Sequence, residues 1–195
     1  IVNTQKTVSL SGEKTWLDEL GNTYAAALHR PALTVTLLQN GNPMSPSRSK
    51  TFAVDAADYT YAFTGLPQYD GSGNAYQYTV QESAVAGFTA AYPAVSGTTA
   101  LTANVRNQLS KTSLTVQKTW LDNGTDVTAA TSQSVTVQLL RKAEGETAFA
   151  SVPGKTLTLT GASSPKYSGT FSDLPAGYVD AGGAYRAYTY SVAEQ

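Results

Sequence analysis

Apolar and polar side chains alternate along most of the chain. In "SLTVQKTWLD" (113–122), Leu114, Val116, Lys118 and Trp120 fall on one face of an extended strand. In "SLSGEKTWLD" (9–18), Leu10, Lys14 and Trp16 do the same, continuing from Val8; Gly12 stands where the later copy has Val116. Comparable alternation recurs in short segments separated by the turn signals "QNGNP", "YDGSGN", "AEGE" and "DAGG". No segment sustains a helical period. The pattern predicts an all-β chain, with about seven short strands per roughly 100 residues, the density of a two-sheet sandwich. Uneven loops argue against a propeller or solenoid.

The strands recur in order. Lys14 and Lys118 of the two K-T-W-L-D copies stand 118 − 14 = 104 residues apart. "LTVTLLQNG" (33–41) returns as "VTVQLLRKAEG" (135–145), "YAFTGLP" (61–67) as "SGTFSDLP" (168–175), and "AYQYTVQE" (75–82) as "AYTYSVAE" (187–194). The offset grows from 104 to 112, so the second copy carries small loop insertions. The first copy continues through "LTANVRNQL" (101–109), whereas the second has no such segment after Glu194. "IVNTQKTVSL" at the start resembles "NVRNQLSKTSL", with Asn3 and Asn107 each 11 residues before a K-T-W lysine. The expected division is therefore 1–6, the last strand of a preceding repeat; 7–109, a complete first domain; and 110–195, a second domain lacking its C-terminal strand. The chain opens on Ile1 and reads as part of a longer array.

Strand parity also places polar residues on the apolar face. Tyr76, Tyr78 and Val80 lead to Glu82, and Tyr188, Tyr190 and Val192 lead to Glu194. Leu101, Ala103 and Val105 lead to Asn107, and Ile1 leads to Asn3 in the same way. A one-residue slip would expose the whole apolar set, so this register is well specified. A buried ion must neutralise or find a partner. Three readings fit: a buried Lys–Glu pair with an asparagine hydrogen bond, strand ends that reach water, or chemistry. In the third, a lysine desolvated by aromatic walls loses its charge and becomes a nucleophile. A carboxylic acid kept protonated by burial polarises the asparagine amide and shuttles protons. The product is a Lys–Asn isopeptide bond, formed once, with ammonia leaving.

Composition narrows the partners. The 195 residues carry a net charge of −1 with 14% charged residues, and there is no basic run. That argues against nucleic acid and anionic membranes. No apolar run is long enough for a membrane helix. Cysteine is absent, which excludes disulfides and thiolate metal sites. No cofactor is expected.

The order K-x-W, Arg30-Pro31 before a strand, the "LLQNG" turn, "FTGLP", "Y-x-Y-x-V-x-E" and a closing "V-x-N" resembles the B-type repeat of collagen adhesins, the CnaB family of Gram-positive surface adhesins and pilins. The resemblance covers nearly the whole chain. It implies tandem prealbumin-like, reverse-immunoglobulin β-sandwiches, each with a self-formed isopeptide bond. Lys14, Glu82 and Asn107 match the lysine, acid and asparagine of that family. Lys118 and Glu194 match in the second unit, where the asparagine position falls beyond the chain. Asn3 matches the asparagine of a preceding unit whose lysine is absent.

These features make the expected function structural: stalk repeats of an extracellular adhesin or pilus-like protein, anchored to the cell wall through a parent chain, with neighbouring repeats as partners. The alternative is a binding module contacting a host matrix protein or glycan. Head-to-tail association through Asn3 and the open second unit is a further expectation. A conventional enzyme is disfavoured. His29 is the only histidine and is expected in a loop. "LDNGTD" (121–126) lacks the full ligand spacing of a calcium loop and reads as a polar turn. "LPAG" reads as a turn rather than a sortase signal, since its repeat partner is "LPQY". Asn123-Gly124-Thr125 is formally a glycosylation sequon.

Overall fold

A computed structural model describes residues 5–195. Every regular element among them is a strand. The chain divides into two compact units: residues up to Ser110 with Val179–Tyr185, and Lys111–Tyr178 with Arg186–Gln195.

The first unit contains β1 (Thr7–Leu17), β2 (Leu33–Gln39), β3 (Asn42–Pro43), β4 (Ser49–Phe52), β5 (Thr60–Pro67), β6 (Tyr78–Glu82), β7 (Phe88–Ala91), β8 (Ala100–Thr102) and β9 (Val105–Leu109). One sheet has the order β5-β1-β9-β7, with β8 also on β1; the other has the order β3-β2-β4, with β6 also on β2. β1 pairs antiparallel with β5 and parallel with both β8 and β9. The alternation read from β1 is realised: Val8, Leu10, Lys14 and Trp16 are buried and their neighbours are not. Leu33, Val35 and Leu37 of β2 and Tyr78 and Val80 of β6 close the core from the second sheet. The two inner faces thus form the sandwich that the sequence pattern predicts.

Turn chemistry follows the sequence signals. Asn40 and Gly41 take φ values of 50° and 81° and join β2 to β3 as a two-residue hairpin loop. In "YDGSGN" the Asp70 carboxylate accepts the backbone N–H groups of Ser72 and Asn74.

The second unit contains β10 (Lys111–Gln117), β11 (Leu121–Asp122), β12 (Thr125–Asp126), β13 (Val135–Ala143), β14 (Ala150–Leu159) and β15 (Ser168–Pro175), together with β16 (Gly177–Val179) and β17 (Tyr185–Glu194) except for their end residues Val179 and Tyr185. Its sheets are β10-β15, the β11-β12 hairpin and β14-β13-β17-β16. The hairpin is the "LDNGTD" turn, with Asn123 and Gly124 at positive φ. Val135, Val137, Leu139, Leu159, Tyr167, Phe171 and Leu174 form the core.

Leu37 is fully buried in the first core. Leu37→Ala is expected to lower unfolding free energy by about 2–5 kcal/mol, read from the shift in a urea-denaturation midpoint.

Candidate functional site

In the parallel ladder of β1 and β9, Lys14 lies opposite Val105 and Trp16 opposite Asn107. All four side chains share the inner face, which makes Lys14 and Asn107 diagonal neighbours. Glu82 ends β6 on the facing sheet, opposite Val35 of β2. Lys14, Glu82 and Asn107 are the buried polar and charged residues of the described chain, at 2%, 8% and 0% exposure. Parity therefore placed all three correctly.

The Lys14 Nζ stands 3.5 Å from the Glu82 Oε2. It also lies 4.2 Å from the centroid of the Trp16 ring and donates to the Thr15 carbonyl at 3.1 Å. Trp16 is itself packed edge-on against Tyr59 and Phe88. The amine thus sits in an aromatic compartment with one carboxylate for company. Asn107 is stranger: neither its side-chain oxygen nor its nitrogen has a hydrogen-bond partner. The amide is near enough to Glu82 to favour its carboxylate form, yet no atom pair meets hydrogen-bond geometry. An unpartnered buried amide costs about 1–3 kcal/mol. Such a group in a native core calls for an explanation.

Electrostatics point the same way. Burial pulls the Lys14 ammonium down to about 8, against the opposing attraction of Glu82. Burial pushes the Glu82 carboxyl above its ordinary range, with Lys14 and the Asn107 amide acting in the opposite direction. Lowering the Lys14 ammonium and raising the Glu82 carboxyl narrows the gap between the two groups, so moving the proton from amine to carboxylate costs less here than in water.

The second unit repeats the register without the enclosure. Glu194 lies opposite Val137, as Glu82 lies opposite Val35. The Lys118 backbone N–H donates to the Tyr167 carbonyl, as Lys14 donates to that of Tyr59. Lys118 Nζ and Glu194 Oε2 meet at 3.0 Å, but the two side chains are 31% and 49% exposed. The expectation of core burial for this pair is corrected. Among the described residues β10 pairs only with β15, so no strand lies along its other edge where the chain runs on into Lys118. Asn3 lies outside the described residues.

Residues set aside in the sequence stay outside the site. His29 is in a loop, its Nδ1 2.7 Å from the Asp55 carboxylate. The sequence reading missed the surroundings of Glu82. Its backbone N–H donates to the Tyr92 hydroxyl at 3.2 Å, and Tyr61 lies close enough to feel its charge. One signal was available: Tyr61 has Gly169 as its repeat counterpart, just as Gly12 has Val116.

The family model for the Cna protein B-type domain matches residues 10–107 and 114–195. The chain belongs to this family. No sequence match was found among curated proteins. Among solved structures, a single B repeat unit (B1) of the collagen-binding surface protein Cna of Staphylococcus aureus is 26% identical, covering 96% of this chain and 86% of that one at a TM-score of 0.38. The pilus backbone RrgB of Streptococcus pneumoniae is 20% identical over 53% of this chain and 34% of that one, with a TM-score of 0.38. The pilus adhesin SpaC of Lactobacillus rhamnosus GG is 17% identical over 90% of this chain and 21% of that one, with a TM-score of 0.41. The chain spans about a third or less of the two pilus proteins. The B-type assignment rests on the family match.

The shifted groups give the unlinked protein a defined pH response. Between about 8 and 10.5, Lys14 binds fewer protons folded than unfolded, so stability rises with pH across that window. Asn107→Ala, which retains Lys14 and Glu82, should show this alkaline rise in its urea midpoint. Adding Lys14→Met should abolish it; the same rise in both variants would remove Lys14 as its source.

Proposed function

We propose that the chain is a pair of stalk repeats, 7–109 and 110–195, from an extracellular adhesin or pilus-like protein. The first is locked by a Lys14–Asn107 isopeptide bond. The observation that carries this reading is the unpartnered, fully buried Asn107 amide on the same sheet face as a lysine with a lowered pKa. Membership in the B-type family of a collagen-binding surface protein supports the surface location, and neighbouring repeats of the parent chain are the natural partners.

The step balances as follows. The neutral Lys14 Nζ attacks the Asn107 Cγ while the protonated Glu82 hydrogen-bonds to the amide oxygen. Glu82 relays one amine proton to the departing nitrogen, which leaves as ammonia. The Nζ–Cγ bond replaces the Cγ–Nδ2 bond, and Glu82 ends in the protonation state in which it began. The fold supplies the effective concentration by holding amine and amide together in one ladder. The reaction turns over once, since lysine and asparagine are consumed.

The reactive arrangement, neutral amine beside protonated acid, holds the same number of protons as the ion pair. Its share is therefore constant between the raised Glu82 value and about 8, and falls on either side.

Intact-mass spectrometry decides. The unsubstituted chain should be lighter than its sequence by one ammonia, with a conversion rate flat near neutral pH and declining above about 8. Glu82→Ala should retain the full mass. Loss of a cross-link closing 107 − 14 = 93 residues removes about 4–5 kcal/mol from the first unit. Its melting temperature should fall by about 20 °C or more. Full sequence mass in the unsubstituted protein would sink the bond.

A further inference from the structure

β1 changes partner within its length, from β8 beside Ser9–Ser11 to β9 beside Lys14–Leu17. The crossing is made by Ala103 and Asn104, and each link in it is specific. The Ala103 N–H donates to the Ser11 carbonyl at 2.9 Å, and the Glu13 N–H donates to the Asn104 Oδ1 at 3.1 Å. The buried Ala103 carbonyl accepts the hydroxyl of Tyr61, which is itself buried on β5.

Tyr61 lies directly opposite Gly12 in the β1–β5 ladder. A Cβ built on Gly12 would come within 1.7 Å of the Ala103 oxygen and 2.7 Å of the tyrosine hydroxyl. Close approach of the crossing chain therefore demands glycine here. In the second unit the pair is exchanged: Val116 lies opposite Gly169. The β-ladder itself is thus satisfied either way, and the tyrosine answers a need beyond filling that ladder position.

We propose that Tyr61 is a positioning residue for the Lys14–Asn107 bond: its hydroxyl, passing over Gly12, clamps the Ala103 carbonyl and sets the phase of β9 beside β1. This role rests on the isopeptide reading above. Val105, two residues beyond the clamp, is paired with Lys14, and Asn107 follows two residues later on the same face. A slip of one residue would turn Asn107 out of the compartment. Without the hydroxyl, the buried Ala103 carbonyl loses its donor, and the crossing is free to shift. Tyr61 is not a proton carrier in this scheme, because its hydroxyl proton is committed to the Ala103 carbonyl.

Intact mass sampled in time during cell-free synthesis of the full chain provides the test, with circular dichroism reporting the folded fraction. Tyr61→Phe keeps the ring and removes the clamp. Ammonia loss among folded molecules should slow by at least about tenfold, as expected for a displaced reacting pair. A merely structural tyrosine would lower the melting temperature, read separately by adding Tyr61→Phe to Glu82→Ala, and leave that conversion rate unchanged. Unsubstituted-like conversion in Tyr61→Phe overturns the role. If Tyr61→Phe does not fold, Gly12→Ala carries the test, because its methyl group displaces the same carbonyl; normal conversion there also overturns it. Full mass in the unsubstituted chain refutes the bond itself, and the positioning role falls with it. That outcome is distinct from normal conversion in the variants.

Discussion

Burial of one lysine is the constraint around which the first unit is arranged. Removing an ammonium and a carboxylate from water costs several kcal/mol per ion before their attraction is counted. A hydrophobic pair of similar size on β1 and β6 would stabilise the sandwich at least as well. Lys14 and Glu82 are nonetheless enclosed, and the amide beside them makes no hydrogen bond. These expenses share one resolution in the proposed bond. Amide formation removes the ammonium and leaves a carbonyl beside a carboxylic acid that can donate to it. The unlinked arrangement is a costly precursor, and the linked one is a satisfied core.

The two units separate what a strand contributes from what its neighbours contribute. β1 contains the K-T-W motif and β10 leads directly into its second copy, and both lysines meet a glutamate at the matching register position. Trp120 even repeats the stacking, with the Lys118 Nζ 5.0 Å from its ring centroid. Yet Lys118 and Glu194 remain open to solvent while Lys14 and Glu82 do not. The difference is β9, which lies along the second edge of β1 and closes the compartment. Desolvation, and with it the lowered lysine pKa, belongs to the assembled sheet. In the proposed reaction the strand that brings the electrophile is the same strand that shuts out water, so the nucleophile is activated only once its target has arrived.

Much of this was legible in alternation alone. Lys14, Glu82 and Asn107 were assigned to the inner face because extended backbone fixes side-chain parity, and each is buried there. The all-β sandwich and the turns at Asn40-Gly41 and Asn123-Gly124 followed from the same local rules. Parity is blind to cover, however. It put Glu194 on the core face but could not reveal that, among the described residues, no strand lies along the second edge of β10 to shield Lys118 just beyond it. Nor could it find the clamp, since Tyr61 reaches Ala103 across an intervening strand, 42 residues along the chain. The trace that remained was the exchange of Gly12 and Tyr61 for Val116 and Gly169. It acquires meaning only when the two positions are known to face each other.

Topology also determines what such a bond does under load. β1 and β9 are parallel, so tension applied at the start of one and the end of the other shears the pair along its length. Shear loads several ladder hydrogen bonds at once, whereas antiparallel unzipping breaks them in turn. The proposed bond joins Lys14, late in β1, to Asn107, in the middle of β9. Force entering along Thr7–Glu13 passes through the cross-link and leaves by Gln108 and Leu109. The chain between the linked residues is bypassed. At about 3.3–3.6 Å per extended residue, that segment would otherwise pay out roughly 300 Å of slack on unfolding. A stalk repeat cross-linked at these positions stays short because its load never reaches the strands between the linked residues, however marginal their own stability.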